Sequence, residues 1–183
     1  MFAPTQTVTL DDGDSLELGT LWAERPLAIV LLRHLGCIFC REIVARMRQY
    51  PEANLLFVAV ERAEECAAFR ARMESPHRIV SDPGRALYEA FGLTRGTLMQ
   101  ILTPRSMGRG LSAMRAGLRQ GLPTSDPMQL GGAFVIDRRG CVDWEYRSRD
   151  HSDNPSAEAI LGALASAAKG EVQSYPFAGI AQR

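Results

Sequence analysis

The chain has 183 residues, 46% apolar and 23% charged, with a formal net charge of zero. This is enough to bury a core, and the balanced charge gives the whole molecule no pull toward nucleic acid or a membrane surface. No stretch approaches the ~18 consecutive apolar residues of a membrane-spanning helix. Met1 to Thr5 lack a basic region followed by an apolar one, so no secretory signal is read and a cytoplasmic location is expected. Lys169 is the sole lysine, which argues against a phosphate-binding Gly-Lys loop and a Schiff-base mechanism.

Thr7–Leu10 and Ser15–Leu18 alternate around Asp11-Asp12-Gly13-Asp14, an antiparallel hairpin signal. Gly19 to Pro26 reads as a connector over a packed Leu21 and Trp22. Leu27–Leu32 is a continuous apolar run, followed by a turn at Gly36 and a helical pattern through Phe39, Ile43, Val44 and Met47. A second apolar run at Leu55–Val60 then completes a right-handed βαβ unit with a parallel, doubly covered sheet. Glu61–Met73 reads as a helix with Cys66 and Phe69 inward. Arg78–Ser81 reads as a short strand, and Arg85–Phe91 as a helix closed by Gly92. From about 94 to 130 the pattern loosens into an insertion. Met107, Leu111, Met114 and Leu118 predict one helix there, and the only charges between Thr94 and Ser125 are arginines, from Arg95 to Arg119. A solvated helix face and a basic lid or partner surface both fit that segment. Gly132–Ile136 and Cys141–Tyr146 flank Asp137–Gly140 as a hairpin. The first strand is central; the second is an edge with Val142, Trp144 and Tyr146 on one face. Asn154-Pro155-Ser156 opens a last helix with Ile160, Leu161 and Leu164 inward, Pro155 in its first turn and Gly170 at its end. One domain over 1–170 with a tail at 171–183 is expected.

The chemistry concentrates in Arg33-His34-Leu35-Gly36-Cys37-Ile38-Phe39-Cys40-Arg41. A C-x-x-C pair at a helix start meets unpaired backbone N–H groups and the positive end of the helix dipole, which favour thiolate over thiol. Cys37, at the helix entrance, is expected to be the more exposed and more acidic nucleophile. Cys40, one turn in, is placed to attack a mixed disulfide or sulfenic acid on Cys37. Packed cysteines or half a zinc site are the alternatives, but a structural zinc site wants four ligands. Cys66, Cys141, His77 and His151 are isolated in the sequence, so no metal is assigned. Arg33 and Arg41 flank the pair and could hold a thiolate, and His34 could move a proton. Cys66 and Cys141 read as small packed residues.

The order hairpin, β, C-x-x-C helix, β, α, β, α, insertion, hairpin, α resembles the thioredoxin fold. Within it the chain resembles the peroxiredoxin-like (AhpC/TSA) branch. The resemblance rests on the cysteine turn, on Ser81-Asp82-Pro83-Gly84 with Leu87-Tyr88, on Gln129 through Asp137, and on Tyr146-Arg147-Ser148-Arg149-Asp150. It implies an α/β fold with a central mixed β-sheet flanked by helices. Gly132 stands where thioredoxins carry a cis-proline. Typical peroxiredoxins carry Pro-x-x-x-Thr/Ser-x-x-Cys. Counting back gives His34 and Val30 for Cys37, and Cys37 and Arg33 for Cys40. Their usual arginine ahead of the last central strand is Gly131 here, leaving Arg33 or Arg147 as replacements. The resemblance implies a thiol oxidoreductase without a cofactor, acting on a peroxide or a disulfide and reduced by an external thioredoxin- or glutathione-like dithiol. A thioredoxin-type disulfide reductase and a redox-sensing binding module are the alternatives. The edge strand allows a homodimer.

Overall fold

The computed structural model describes residues 1–96, 114–115, 121–122 and 125–170. One seven-stranded mixed sheet runs through the protein in the order β2-β1-β5-β4-β3-β6-β7. Its strands are β1 (Thr7–Leu10), β2 (Ser15–Glu17), β3 (Leu27–Leu31), β4 (Leu55–Ala59), β5 (Ile79–Ser81), β6 (Gly132–Ile136) and β7 (Val142–Arg147). The helices are α1 (Ile38–Met47), α2 (Ala63–Met73), α3 (Ala86–Ala90) and α4 (Ala157–Lys169), with a 3₁₀ turn over Leu18–Trp22. The expected mixed sheet with helices is therefore present. Most of the arginine-rich insertion, including its predicted helix core, and the tail from 171 onward lie outside the described residues.

The apolar runs β3, β4 and β6 are buried at every position because both sheet faces are covered. β3 pairs in parallel with β4 and antiparallel with β6, so its C-terminal end opens between them. One face, with Ala28, Val30, Phe57 and Val135, packs against α1, α2 and α4. The other, with Ile29, Leu31, Val58 and Phe134, packs against α3, the 3₁₀ turn and the N-terminal segment.

Two details depart from the sequence reading. Val142 packs with the second face, while Trp144 and Tyr146 pack with the first. A β-bulge is the cause: Ile136 pairs with Val142 but Val135 with Trp144, so Asp143 is an extra residue that flips the alternation. Ser156 caps α4, its Oγ accepting the Ala159 N–H at 3.2 Å. Pro155 therefore precedes the helix.

Candidate active site

β3 delivers the chain to the C-terminal edge of the sheet, and residues 32–37 turn it into α1. Four anchors hold that turn. The Glu61 carboxylate, just past β4, accepts the Leu35 N–H at 2.9 Å. Arg41 Nε donates to the Leu35 carbonyl at 3.3 Å. The Tyr88 hydroxyl lies against the carbonyls of Leu32 and Val58, pinning the ends of β3 and β4. Asn154 Nδ2 donates to the Phe39 carbonyl at 2.9 Å, fastening the first turn of α1. Gly121, Leu122 and Ser125 also meet this frame. Gly121 N–H donates to the Gly36 carbonyl at 2.8 Å, and Ser125 Oγ donates to Glu61 Oε1 at 2.9 Å. A Cβ on Gly36 would lie 2.0 Å from the Leu122 carbonyl oxygen, so this backbone contact requires glycine.

Cys37 is the N-cap residue of α1 and Cys40 sits in its first turn. Both thiols are free, and both are buried, at 5% and 2% exposure. Cys37 is marginally the more exposed of the two, as expected, but both residues are buried. Arg33 Nη2 lies 2.6 Å from Cys37 Sγ, and the Arg33 backbone N–H donates to Cys40 Sγ at 3.3 Å. The Arg33 guanidinium also sits over the Phe39 ring, 5.7 Å from its centre.

The two sulfurs share one proton. Cys37 donates its S–H to Cys40, which lowers the Cys40 pKa to about 6 against the penalty of burial, with the Arg33 charge and the backbone N–H groups of Arg33 and His34 helping. That same hydrogen bond, then burial and the neighbouring charge, raises the Cys37 pKa well above a thiol's ordinary value. The lower pKa thus falls on Cys40, opposite to the sequence expectation, because Cys40 accepts the hydrogen bond that Cys37 donates, with the Arg33 charge and the backbone N–H groups of Arg33 and His34 adding. The pair loses its first proton easily and its second with difficulty, as two close thiols must. The Arg33 contact is on the other sulfur, so the guanidinium is placed to hold the charge when the proton moves from Cys37 to Cys40.

His34 is buried and its Nδ1 has no hydrogen-bond partner among the described residues. Burial, with the positive charges of Arg33, His151 and Arg41 adding, lowers its pKa to about 4. It is therefore a neutral imidazole at physiological pH. Arg41 braces the turn through a backbone carbonyl.

The structure takes Arg147 out of this group. Its guanidinium reaches the Phe91 carbonyl and Glu145, and lies 5.1 Å from the centre of the Phe134 ring on the opposite sheet face. Asp153 pairs with Arg149 and accepts the Tyr146 hydroxyl. Gly132 opens β6 between Leu93 and Tyr146. Its neighbour Gly131 borders Arg33 and passes so close to β3 that a Cβ would lie 2.6 Å from the Leu31 carbonyl oxygen. No peptide bond among the described residues is cis. Glu61 and Tyr88 were missed as site residues. The sequence signal for Glu61 was a lone carboxylate at the C-terminal end of a buried parallel strand, where α/β sheets place their sites.

A family model described as AhpC/TSA antioxidant enzyme matches residues 42–150. The chain belongs to the AhpC/TSA antioxidant enzyme family. It is a thiol-dependent oxidoreductase of peroxiredoxin-like type. The matched span opens just beyond Cys40, so the cysteine turn itself lies outside it. Peroxiredoxin-like 2C of Homo sapiens is 24% identical over 166 residues, covering 81% of this chain and 73% of that protein. Prostamide/prostaglandin F synthase of Danio rerio is 25% identical over 175 residues, covering 90% and 86%. Among solved structures, peroxiredoxin Q of Xanthomonas campestris superposes with a TM-score of 0.58 at 16% identity, covering 93% and 94%. Peroxidoxin BcpB of Mycobacterium tuberculosis gives 0.56 at 15% identity, covering 91% and 95%. These structural likenesses carry the fold. Among the described residues, no helix is long and apolar enough to cross a membrane.

Proposed function

We propose that this protein is a thiol peroxidase in which Cys37 attacks a hydroperoxide and Cys40 resolves the product. The observation that carries the reading is the buried Arg33 guanidinium touching Cys37 Sγ while its backbone N–H holds Cys40 Sγ. The Cys37 proton passes to Cys40, leaving a Cys37 thiolate held by Arg33. That thiolate attacks one oxygen of ROOH; the O–O bond breaks, Cys37 becomes a sulfenic acid, and the alkoxide takes the proton from Cys40 and leaves as ROH, so Cys40 is again a thiolate. Cys40 thiolate then attacks the sulfenic sulfur, forming the Cys37–Cys40 disulfide and releasing water. An external dithiol of thioredoxin or glutathione type restores the pair. Arg33 takes the role of an arginine beside the reacting oxygens, and Glu61, Arg41 and Tyr88 keep the turn in register.

A second reading, exchange with a protein disulfide, is favoured by the adjacency of the two sulfurs. The two separate on one experiment: turnover of hydrogen peroxide, a lipid hydroperoxide and a disulfide substrate by wild type, Cys37→Ser and Cys40→Ser. Peroxide consumption lost in Cys37→Ser, with a disulfide formed only in wild type, supports the first. Disulfide turnover without peroxide consumption replaces it with the second. The cytoplasmic location, the 1–170 domain and pairing of a second copy at β7, an outer strand of the sheet, belong to the same proposal. Sedimentation of the purified chain tests the dimer.

A further inference from the structure

Arg33 is the largest fully buried side chain among the described residues, at 1% exposure. Among the described residues no carboxylate reaches its guanidinium. Nη2 meets Cys37 Sγ, and Nε and Nη1 are buried with no acceptor among the described residues. A buried charge lacking a counter-charge is heavily penalised, and so is a buried N–H with no acceptor. In the dithiol form the shared thiolate balances this charge. Formation of the Cys37–Cys40 disulfide removes the thiolate, so oxidation strands the guanidinium with two empty donors and no anion. Beside it, His34 Nδ1 is also buried without a partner among the described residues.

We propose that Arg33 is a redox-dependent anion site, closed to outside ligands while a thiolate sits beside it and open to a soft monovalent anion once the disulfide has formed. The proposal rests on the reading of Cys37 and Cys40 as a redox pair. In turnover the anion is the thiolate of the reductant. Held by the Nε–H and Nη1–H donors, it attacks Cys37 Sγ. The S–S bond breaks and its electron pair leaves on Cys40 Sγ, to which the Arg33 backbone N–H donates. A second thiolate attacks the reductant sulfur of the mixed disulfide and releases Cys37, so two reductant thiols become one disulfide. Arg33 thereby fixes which sulfur is attacked.

The test uses the full chain in two forms, reduced with dithiothreitol and oxidised with diamide, the disulfide verified as the loss of two hydrogens by mass spectrometry. Thiocyanate is titrated at constant ionic strength, held with fluoride, and thermal unfolding is followed. The expected result is a half-effect concentration about tenfold or more lower for the oxidised form. Thiocyanate should also slow reduction of the wild-type disulfide by glutathione competitively, and Arg33→Met should abolish both effects. Equal responses of the two wild-type forms, with the disulfide verified, overturn the anion site and leave the peroxidase reading standing. A chain that forms no Cys37–Cys40 disulfide overturns both. The wild-type comparison decides the matter even where Arg33→Met fails to fold.

Discussion

Replacing Arg33 by methionine keeps most of the buried volume and removes the charge beside Cys37. The guanidinium sits 2.6 Å from the sulfur, and no carboxylate among the described residues shares it. A hydrogen bond to a charged group is worth ~1.5–3 kcal/mol, and one pKa unit is ~1.4 kcal/mol. The first ionisation of the cysteine pair, about 6 in the wild type, should therefore rise by ~1–2 units in Arg33→Met. The pair would then be at least about half protonated at neutral pH. Thiolate ultraviolet absorbance against pH measures this, with a Cys37→Ser/Cys40→Ser double variant as blank; the pH dependence of alkylation gives a second reading. Arg41→Met should move the midpoint less, because Arg41 holds the Leu35 carbonyl rather than a sulfur. An unchanged midpoint in Arg33→Met, or an equal shift in both variants, would refute the assignment of Arg33 as the charge partner.

Other expectations follow from the same geometry. Folding lowers the His34 pKa from 6.5 to about 4, so the unfolded chain binds the extra proton and stability falls as pH drops through that window. The loss approaches ~3 kcal/mol; His34→Asn should show a shallower decline in denaturant melts between pH 7 and pH 4, and parallel declines would remove His34 from the account. Glu61→Ala strips the acceptor from the buried Leu35 N–H and should cost ~1–3 kcal/mol in urea unfolding, whereas Glu61→Gln, retaining an oxygen, should cost less. Gly131→Ala places a Cβ against the Leu31 carbonyl oxygen and should cost ~1–3 kcal/mol or more; a neutral substitution would contradict the close passage of β6 beside β3.

Much of the fold was legible because its signals are local. Continuous apolar runs at β3, β4 and β6 announce doubly covered strands, and glycines at the ends of α3 and α4 adopt the left-handed conformation expected of them, Gly92 at φ 66° and Gly170 at φ 72°. The bulge at Asp143 was not legible, since alternation alone carries no mark of an inserted residue. At the site, Cys37, Cys40, Arg33 and His34 stand within one turn, so their proximity could be read directly. Arg147 follows β6 and β7 to the opposite sheet face, and only the strand pairing reveals that. Glu61 and Tyr88 reach the turn from 26 and 56 residues away in sequence. The reversal of acidity between the cysteines was also hidden, because it depends first on which sulfur accepts the hydrogen bond between them.

The central claim is that Cys37 is the sulfur that meets the peroxide. Cys40→Ser protein, reduced, exposed to one equivalent of hydrogen peroxide and trapped with dimedone, measures it most directly by peptide mass spectrometry. The account predicts a dimedone adduct on Cys37 in this variant, none on Cys40 in Cys37→Ser on the same timescale, and loss of the Cys37 adduct rate in Arg33→Met. An adduct forming on Cys40 in Cys37→Ser as fast as on Cys37 in Cys40→Ser would contradict it.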